Sequence, residues 1–378
     1  MACAARHAVD IAELQAAASR SIARITGAEA GIVTCGAAAA LTLAAAASMT
    51  RWDVARMAAL PHAEAFAHEI LIPRTHRTGY AHALTAAGAR LIDIGHNDRG
   101  TGAGVRGLEA WEIEAAITPR CAAFAFSATP ENIDDLALVV AVCRPRGLPV
   151  IVDAAAQLPP KRNLRRFFEQ GADLVAFSGG KAIGGPQASG ILAGRRDLIG
   201  AALVQQLDMD VSPLTWVPPE LIDRAALTGV PHHGLGRGFK VGKEEIVGLL
   251  TALERFAAAD DEAANGELEQ RLRRIVAQLG ATAGLSARVL TAREAGRVPH
   301  LHLQIDAAVA GTDALSLSRR LQEGDPPVHL SERLATQGIL IVDLQALAPE
   351  DDAEVVAALR RALARNQQEE PCGSPRSR

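Results

Sequence analysis

The chain has 378 residues, 49% of them hydrophobic and 22% charged, with a net charge of -4. That length and apolar content can bury a sizeable core, so one large domain plus a smaller one is expected. Lysine and arginine form no cluster of the kind that binds a polyanion, which excludes nucleic acid as a partner, and the five cysteines lack both zinc-site spacing and disulfide-scaffold density, fitting a reducing cytoplasm.

Residues 1–30 read as a helical segment. The stretch MACAARHAVDIAELQ carries charges within its first ten residues and has no apolar core, so it is not a signal peptide. Residues 31–34 read as a strand leading through Gly36 into the alanine-rich run 36–47. A bilayer span needs about 20 residues, so this run predicts a buried core helix, and no membrane partner is expected. From about 31 to 205, apolar or β-branched runs (RLIDIG, AAFAFS, PVIVDA, DLVAFS, SGILAG) alternate with segments of helical spacing (LEAWEIEAAI, NIDDLALVVAVCRPRG, NLRRFFEQGA). This rhythm predicts an α/β fold with a mostly parallel sheet. The turn-rich stretch 206–242 closes that large domain, 31–242, as a loop-rich wall. A helix starting at Lys243 opens a small α+β domain, 243–366, with PHLHLQID and GILIVDL as strands and DALSLSRRLQEG and PEDDAEVVAALRRALA as helices. The polar tail 367–378 is expected to be disordered.

Three features carry chemistry. Lys181 stands in Ser178-Gly179-Gly180-Lys181-Ala182-Ile183-Gly184-Gly185-Pro186, just past a buried strand. A lone Gly-Gly-Lys is most often a surface turn, but glycines also let a bulky ligand approach the backbone, and a desolvated lysine there becomes a nucleophilic amine. Asp153 ends the strand of PVIVDA, one strand and one helix earlier. Alone it reads as a helix cap. Paired with Lys181 at strand ends that converge on one crevice, its carboxylate can keep a pyridine nitrogen protonated. Gly36 with Ala37 begins a helix, where open backbone N–H groups stabilise a phosphate, and Ser178 can add a hydroxyl.

The segments TGAEAGIVTCGAAAALTLAAAA, VDAAAQLPP, DLVAFSGGKAIGGPQASGIL, GRGFKVGKEEIVGLL and LQEGDPPV resemble the pyridoxal-phosphate proteins related to bacterial L-seryl-tRNA(Sec) selenium transferase. Within them the chain is most similar to the shorter branch that includes D-glucosaminate-6-phosphate ammonia-lyase. The resemblance runs from about residue 10 to 365. It implies an aspartate aminotransferase-like, fold-type I large domain holding pyridoxal 5'-phosphate. Lys181 would carry the cofactor as a Schiff base, Asp153 would pair with the pyridinium, and Gly36 with Ala37 would cup the phosphate. His76 looks like the residue that stacks on the ring, and Gln157 is a candidate for the phenolic oxygen. Arg237 and Lys240 either hold a substrate carboxylate or phosphate or form a solvated basic turn. His232-His233 and His300-x-His302 have no carboxylate or cysteine at supporting spacing, so no metal is expected.

Relatives usually begin with an N-terminal arm and, in the selenium transferases, a tRNA-binding domain; the resemblance starts after both, so either the start is misassigned or the chain is a truncated relative. A tRNA substrate is therefore not expected. What the resemblance implies is a cytoplasmic, homodimeric lyase that eliminates a β-substituent from a small, hydroxylated or D-configured amino acid. The alternatives are a racemase or aldolase using the same carbanion, or a shortened relative that binds the cofactor without turnover.

Overall fold

The computed structural model describes residues 1–97 and 108–364; the tail 367–378 lies outside the described residues. The chain forms two compact units, one spanning Met1–Ala259 and one beginning at Asp260. The helix Lys243–Ala258, assigned above to the small domain, belongs to the first unit, because Ile246, Leu249 and Leu253 enter its core.

The first unit is built on a seven-stranded sheet. Its strands are β1 (Ala30–Thr34), β2 (Glu69–Pro73), β3 (Arg90–Ile94), β4 (Cys121–Ser127), β5 (Val150–Asp153), β6 (Leu174–Ser178) and β7 (Gly190–Gly194), in the order β1-β7-β6-β5-β4-β2-β3. Only β7 runs antiparallel to its neighbours. The parallel sheet expected from the apolar rhythm is therefore present, with β2 as a strand the periodicity did not reveal. All five β2 residues are buried, and a strand covered on both faces carries no apolar–polar alternation.

Two helices seat β1. Helix α1 (Ile11–Thr26) is N-capped by Asp10, whose carboxylate accepts the Ala12 and Glu13 N–H groups, and it stops at Gly27 in the left-handed region (φ 77°). It covers the sheet edge with its own polar side chains. Gln15 donates from Nε2 to the Val33 carbonyl (2.9 Å) and accepts the Val33 N–H (3.0 Å), while Ser19 Oγ accepts the Gly31 N–H (3.1 Å). Edge strands left bare invite aggregation, and here side chains supply the missing partners. Helix α2 (Ala37–Thr50) is buried from Ala39 to its end. Its alanines let it lie close on the sheet, and its hydroxyls are satisfied, Ser48 on the Ala44 carbonyl, Thr50 on that of Ala46 and Thr42 on that of Ala83 outside the helix (2.7 Å).

The second unit holds a three-stranded antiparallel sheet, order β10-β9-β8, made of β8 (Leu285–Leu290), β9 (His300–Ile305) and β10 (Ile339–Val342). Leu272, Leu301, Leu303, Leu317, Leu340 and Leu359 form its fully buried centre. The helices Ala314–Gln322 and Asp352–Ala364 fall where the sequence predicts them.

Candidate active site

The strand polarity places the C-terminal ends of β1, β4, β5 and β6 and the start of β7 along one border of the sheet. Ser127 sits opposite Asp153, and Gly190 stands between Ser178 and Thr34. An open cleft of about 410 Å³ lies at that border, lined among others by Gly36, Ala37, Thr78, Tyr80, Ser127, Asp153, Gln157, Ser178, Lys181 and Ser189. All of these residues belong to the first unit. The strand ends thus bring together most of the predicted site residues, as the crevice rule for parallel sheets requires.

Lys181 is exposed to the cleft on a loop closed by three backbone bonds, Gly179 N–H to Ser189, Gly185 N–H to Gly179 and Gly184 N–H to Lys181. A Cβ at Gly179 would stand 2.3 Å from Ser189 Oγ and 2.5 Å from Leu249 Cδ1, and one at Gly180 would stand 2.7 Å from Gln187 Cα. The glycines before the lysine are therefore a packing requirement, since the loop folds flat on residues 187–189 and on the helix Lys243–Ala258.

Burial raises the Asp153 carboxyl above its ordinary value, opposed by the Ala155 N–H bonded to Oδ1 at 3.0 Å and by the charge of Lys181. A buried carboxylate in this setting is stabilised by a cation, and a protonated ring nitrogen is such a cation. Gly36 caps α2 with no side-chain bond to the first turn, and a Cβ at Gly36 would meet nothing within 4 Å. The helix therefore presents open N–H groups and free space to the cleft, as a phosphate needs. These three observations fit pyridoxal phosphate: α2 would hold its phosphate, Asp153 its ring nitrogen and Lys181 its aldehyde carbon.

Other expected residues are placed differently. His76 is buried (7% exposed) and is not among the residues lining the cleft. Its Nε2 accepts the Asn132 amide N–H at 2.9 Å, and its ring meets Phe126 edge-on at 4.6 Å between centroids. Its contacts are thus with β4 through Phe126 and with Asn132. Desolvation lowers it to about 4, so it is neutral. Gln157 lines the cleft, but its Nε2 already donates to the Ala128 carbonyl at 2.6 Å. Arg237 and Lys240 line a separate cavity of about 460 Å³ with Gln15, Leu203 and Trp216, and Arg237 is paired with Asp208 at 2.7 Å. Within this chain they do not reach the Lys181 cleft.

The sequence reading missed two arrangements. Tyr80 enters the cleft from an irregular turn that gave no periodic signal. The histidines said to lack carboxylates acquire them through the fold: His233 stands 3.4 Å from Asp208 and 3.9 Å from Asp210, and His300 stands 3.6 Å from Asp343. The Asp208, Asp210 and His233 group is exposed, and the Arg237 guanidinium already compensates Asp208. Among the described residues no helix is long and apolar enough to cross a membrane.

Known proteins resemble this chain along most of its length. The family model described as L-seryl-tRNA selenium transferase (SelA) matches residues 136–210, from the helix before β5 through the Lys181 loop. A 5'-C-glycyluridine monooxygenase-decarboxylase from Streptomyces sp is 31% identical over 373 residues, 95% of this chain and 83% of that protein. A D-glucosaminate-6-phosphate ammonia lyase from Salmonella typhimurium is 28% identical over 375 residues, 95% of this chain and 89% of that protein. A solved structure of D-glucosaminate-6-phosphate ammonia-lyase superposes with a TM-score of 0.77 at 27% identity, covering 97% of this chain and 90% of that one. The chain belongs to the fold-type I, pyridoxal-phosphate-dependent family of L-seryl-tRNA(Sec) selenium transferase and D-glucosaminate-6-phosphate ammonia-lyase, and pyridoxal 5'-phosphate is its cofactor.

Proposed function

We propose that the chain is an ammonia-lyase-type enzyme that removes the α-proton of a small amino acid, expels a β-substituent and yields a 2-oxo acid and ammonia. The observation that carries this reading is the convergence of Lys181, Asp153 and the α2 N-terminus on one cleft. When bound, pyridoxal phosphate supplies an electron sink for the pair released at the substrate's α-carbon. Asp153 keeps the negative charge that a protonated ring nitrogen needs, and the α2 N–H groups hold the phosphate. Lys181, freed when the substrate's amine takes its place, is the base that receives the α-proton at Nζ.

The name of the Salmonella relative supports elimination from a hydroxylated, D-configured acid. No arginine lines the cleft among the described residues, which favours a small side chain over a phosphorylated one. A second reading rests on the Streptomyces relative, whose name denotes decarboxylation. The same site would then release carbon dioxide instead of the α-proton.

The deciding experiment incubates holoenzyme with D- and L-amino acids and assays 2-oxo acid, carbon dioxide, aldehyde and the chirality of recovered substrate. Release of 2-oxo acid with equimolar ammonia is the expected outcome. Carbon dioxide, racemised substrate or aldehyde would each replace it with decarboxylase, racemase or aldolase. A cofactor band unmoved by every amino acid would mark a binding protein. The homodimer is part of the same proposal and is read by sedimentation.

A further inference from the structure

We propose that Tyr80 is the general acid of this site, its phenol Oη giving a proton to the β-oxygen that departs from the substrate. This inference rests on the elimination reading above. Expelling hydroxide is difficult unless the oxygen is protonated as it leaves, so the cleft must hold a second proton-bearing group besides Lys181. Among the described residues lining it, three side chains carry an ionisable group: Asp153, Lys181 and Tyr80. Asp153 is committed to a ring nitrogen and Lys181 to the α-proton. The remaining hydroxyls, on Thr78, Ser127, Thr129, Ser178 and Ser189, are aliphatic alcohols and far weaker acids than a phenol, whose O–H can donate.

The placement of Tyr80 is unusual for an aromatic residue. It is 67% exposed although it lies in a concavity, and it is the one aromatic residue among those lining the cleft. Tyr80 also borders a small recess beside Leu41, Ile72, Phe126 and Asp153. The turn Gly79–Ala81 carries it, and the Thr78 hydroxyl accepts the Tyr80 N–H at 3.3 Å. An aromatic held open on a concave wall buries its face when a ligand arrives, while its hydroxyl remains at the polar end.

The proton ledger closes with these two side chains. Lys181 Nζ takes the α-proton, and the pair of that C–H bond ends as the new Cα–Cβ double bond. The Cβ–O bond breaks with its pair on oxygen, the Tyr80 proton joins that oxygen, and water leaves. The phenolate then recovers a proton from the Lys181 ammonium. Tautomerisation of the product and hydrolysis by a second water give the 2-oxo acid and ammonia.

The test compares leaving groups. Chloride needs no proton to leave, whereas hydroxide does, so wild type and Tyr80→Phe are assayed for 2-oxo acid release from both enantiomers of serine and of β-chloroalanine. The kcat/KM ratio of serine to β-chloroalanine should fall about 100-fold in Tyr80→Phe, the scale of general acid catalysis. An unchanged ratio overturns the assignment. Release from neither substrate by wild type overturns the elimination reading itself, and the inference with it. A readout independent of turnover exists because Tyr80 is the sole tyrosine of the chain. Tetranitromethane should nitrate it in the cofactor-free protein, and pyridoxal phosphate with glycine should slow that nitration about tenfold through burial of the ring. Equal nitration with and without these ligands removes Tyr80 from the site.

Discussion

Gly190 at the start of β7 packs directly on the backbone of Gly36: a Cβ on Gly190 would stand 2.4 Å from Gly36 C and 2.6 Å from Ala37 N. The phosphate cup thus has its shape set by the neighbouring strand as well as by α2. Gly190→Ala should displace the first turn of α2 and weaken pyridoxal phosphate binding at least about tenfold, since helix N-terminal anion sites depend on N–H direction. Absorbance titration with the cofactor checks affinity, and far-UV circular dichroism checks that the fold persists. Wild-type affinity in a folded variant would show that the cup tolerates the shift.

Lys181 and Asp153 should separate into two phenotypes. Lys181→Ala should bind pyridoxal phosphate without covalent linkage, so borohydride treatment followed by denaturation fixes cofactor to wild type and not to the variant. Asp153→Asn should keep the linkage, because Lys181 is intact, and lose turnover by at least about 100-fold, because a neutral amide does not hold the ring nitrogen protonated. Mass spectrometry of the reduced proteins and steady-state rates read the two effects independently. An Asp153→Asn enzyme with wild-type turnover would remove the carboxylate from its assigned role.

The parts of this site legible in the sequence are those fixed by strand ends. Asp153 and Lys181 follow apolar runs whose burial demands a parallel sheet, and parallel strands in one sheet deliver their C-terminal ends to one border. Gly36 was legible as a helix start, since a strand leads through it into an alanine run, although many core helices begin with such a glycine turn. What escaped was set by irregular backbone or by long-range pairing. Tyr80 and His76 stand four residues apart on 3-10 turns, where no period says which faces the cleft, and the structure turns His76 inward and Tyr80 outward. Arg237 meets Asp208 across 29 positions of sequence, a pairing that charge patterning along one helix cannot anticipate.

The Gln15 amide is the edge partner of β1, closing both backbone groups of Val33 at 2% exposure. Gln15→Leu preserves the apolar contact and leaves a buried N–H and C=O unpaired, at a cost of about 2–4 kcal/mol. Urea unfolding should show that loss. If the leucine variant unfolds at the wild-type midpoint, water already serves those groups.

His76 makes stability depend on pH in a direction the structure fixes. Burial lowers its pKa from 6.5 to about 4, so between those values the unfolded chain takes up a proton that the folded chain refuses. Stability therefore rises with pH through this window: the contribution is complete above about pH 6.5 and is lost as pH falls toward about 4. The shift corresponds to at most about 3 kcal/mol. Asn132 reinforces the neutral form by donating to Nε2, which leaves the remaining ring proton on Nδ1, a buried atom with no hydrogen-bond partner among the described residues. His76→Gln keeps an acceptor for Asn132 and removes the titration. The variant should melt below wild type near neutral pH, and the gap should narrow as pH drops toward about 4.5, where the wild-type penalty has largely developed. Melting curves that stay parallel across that range would mean His76 is protonated in the folded protein, with its ring open to water.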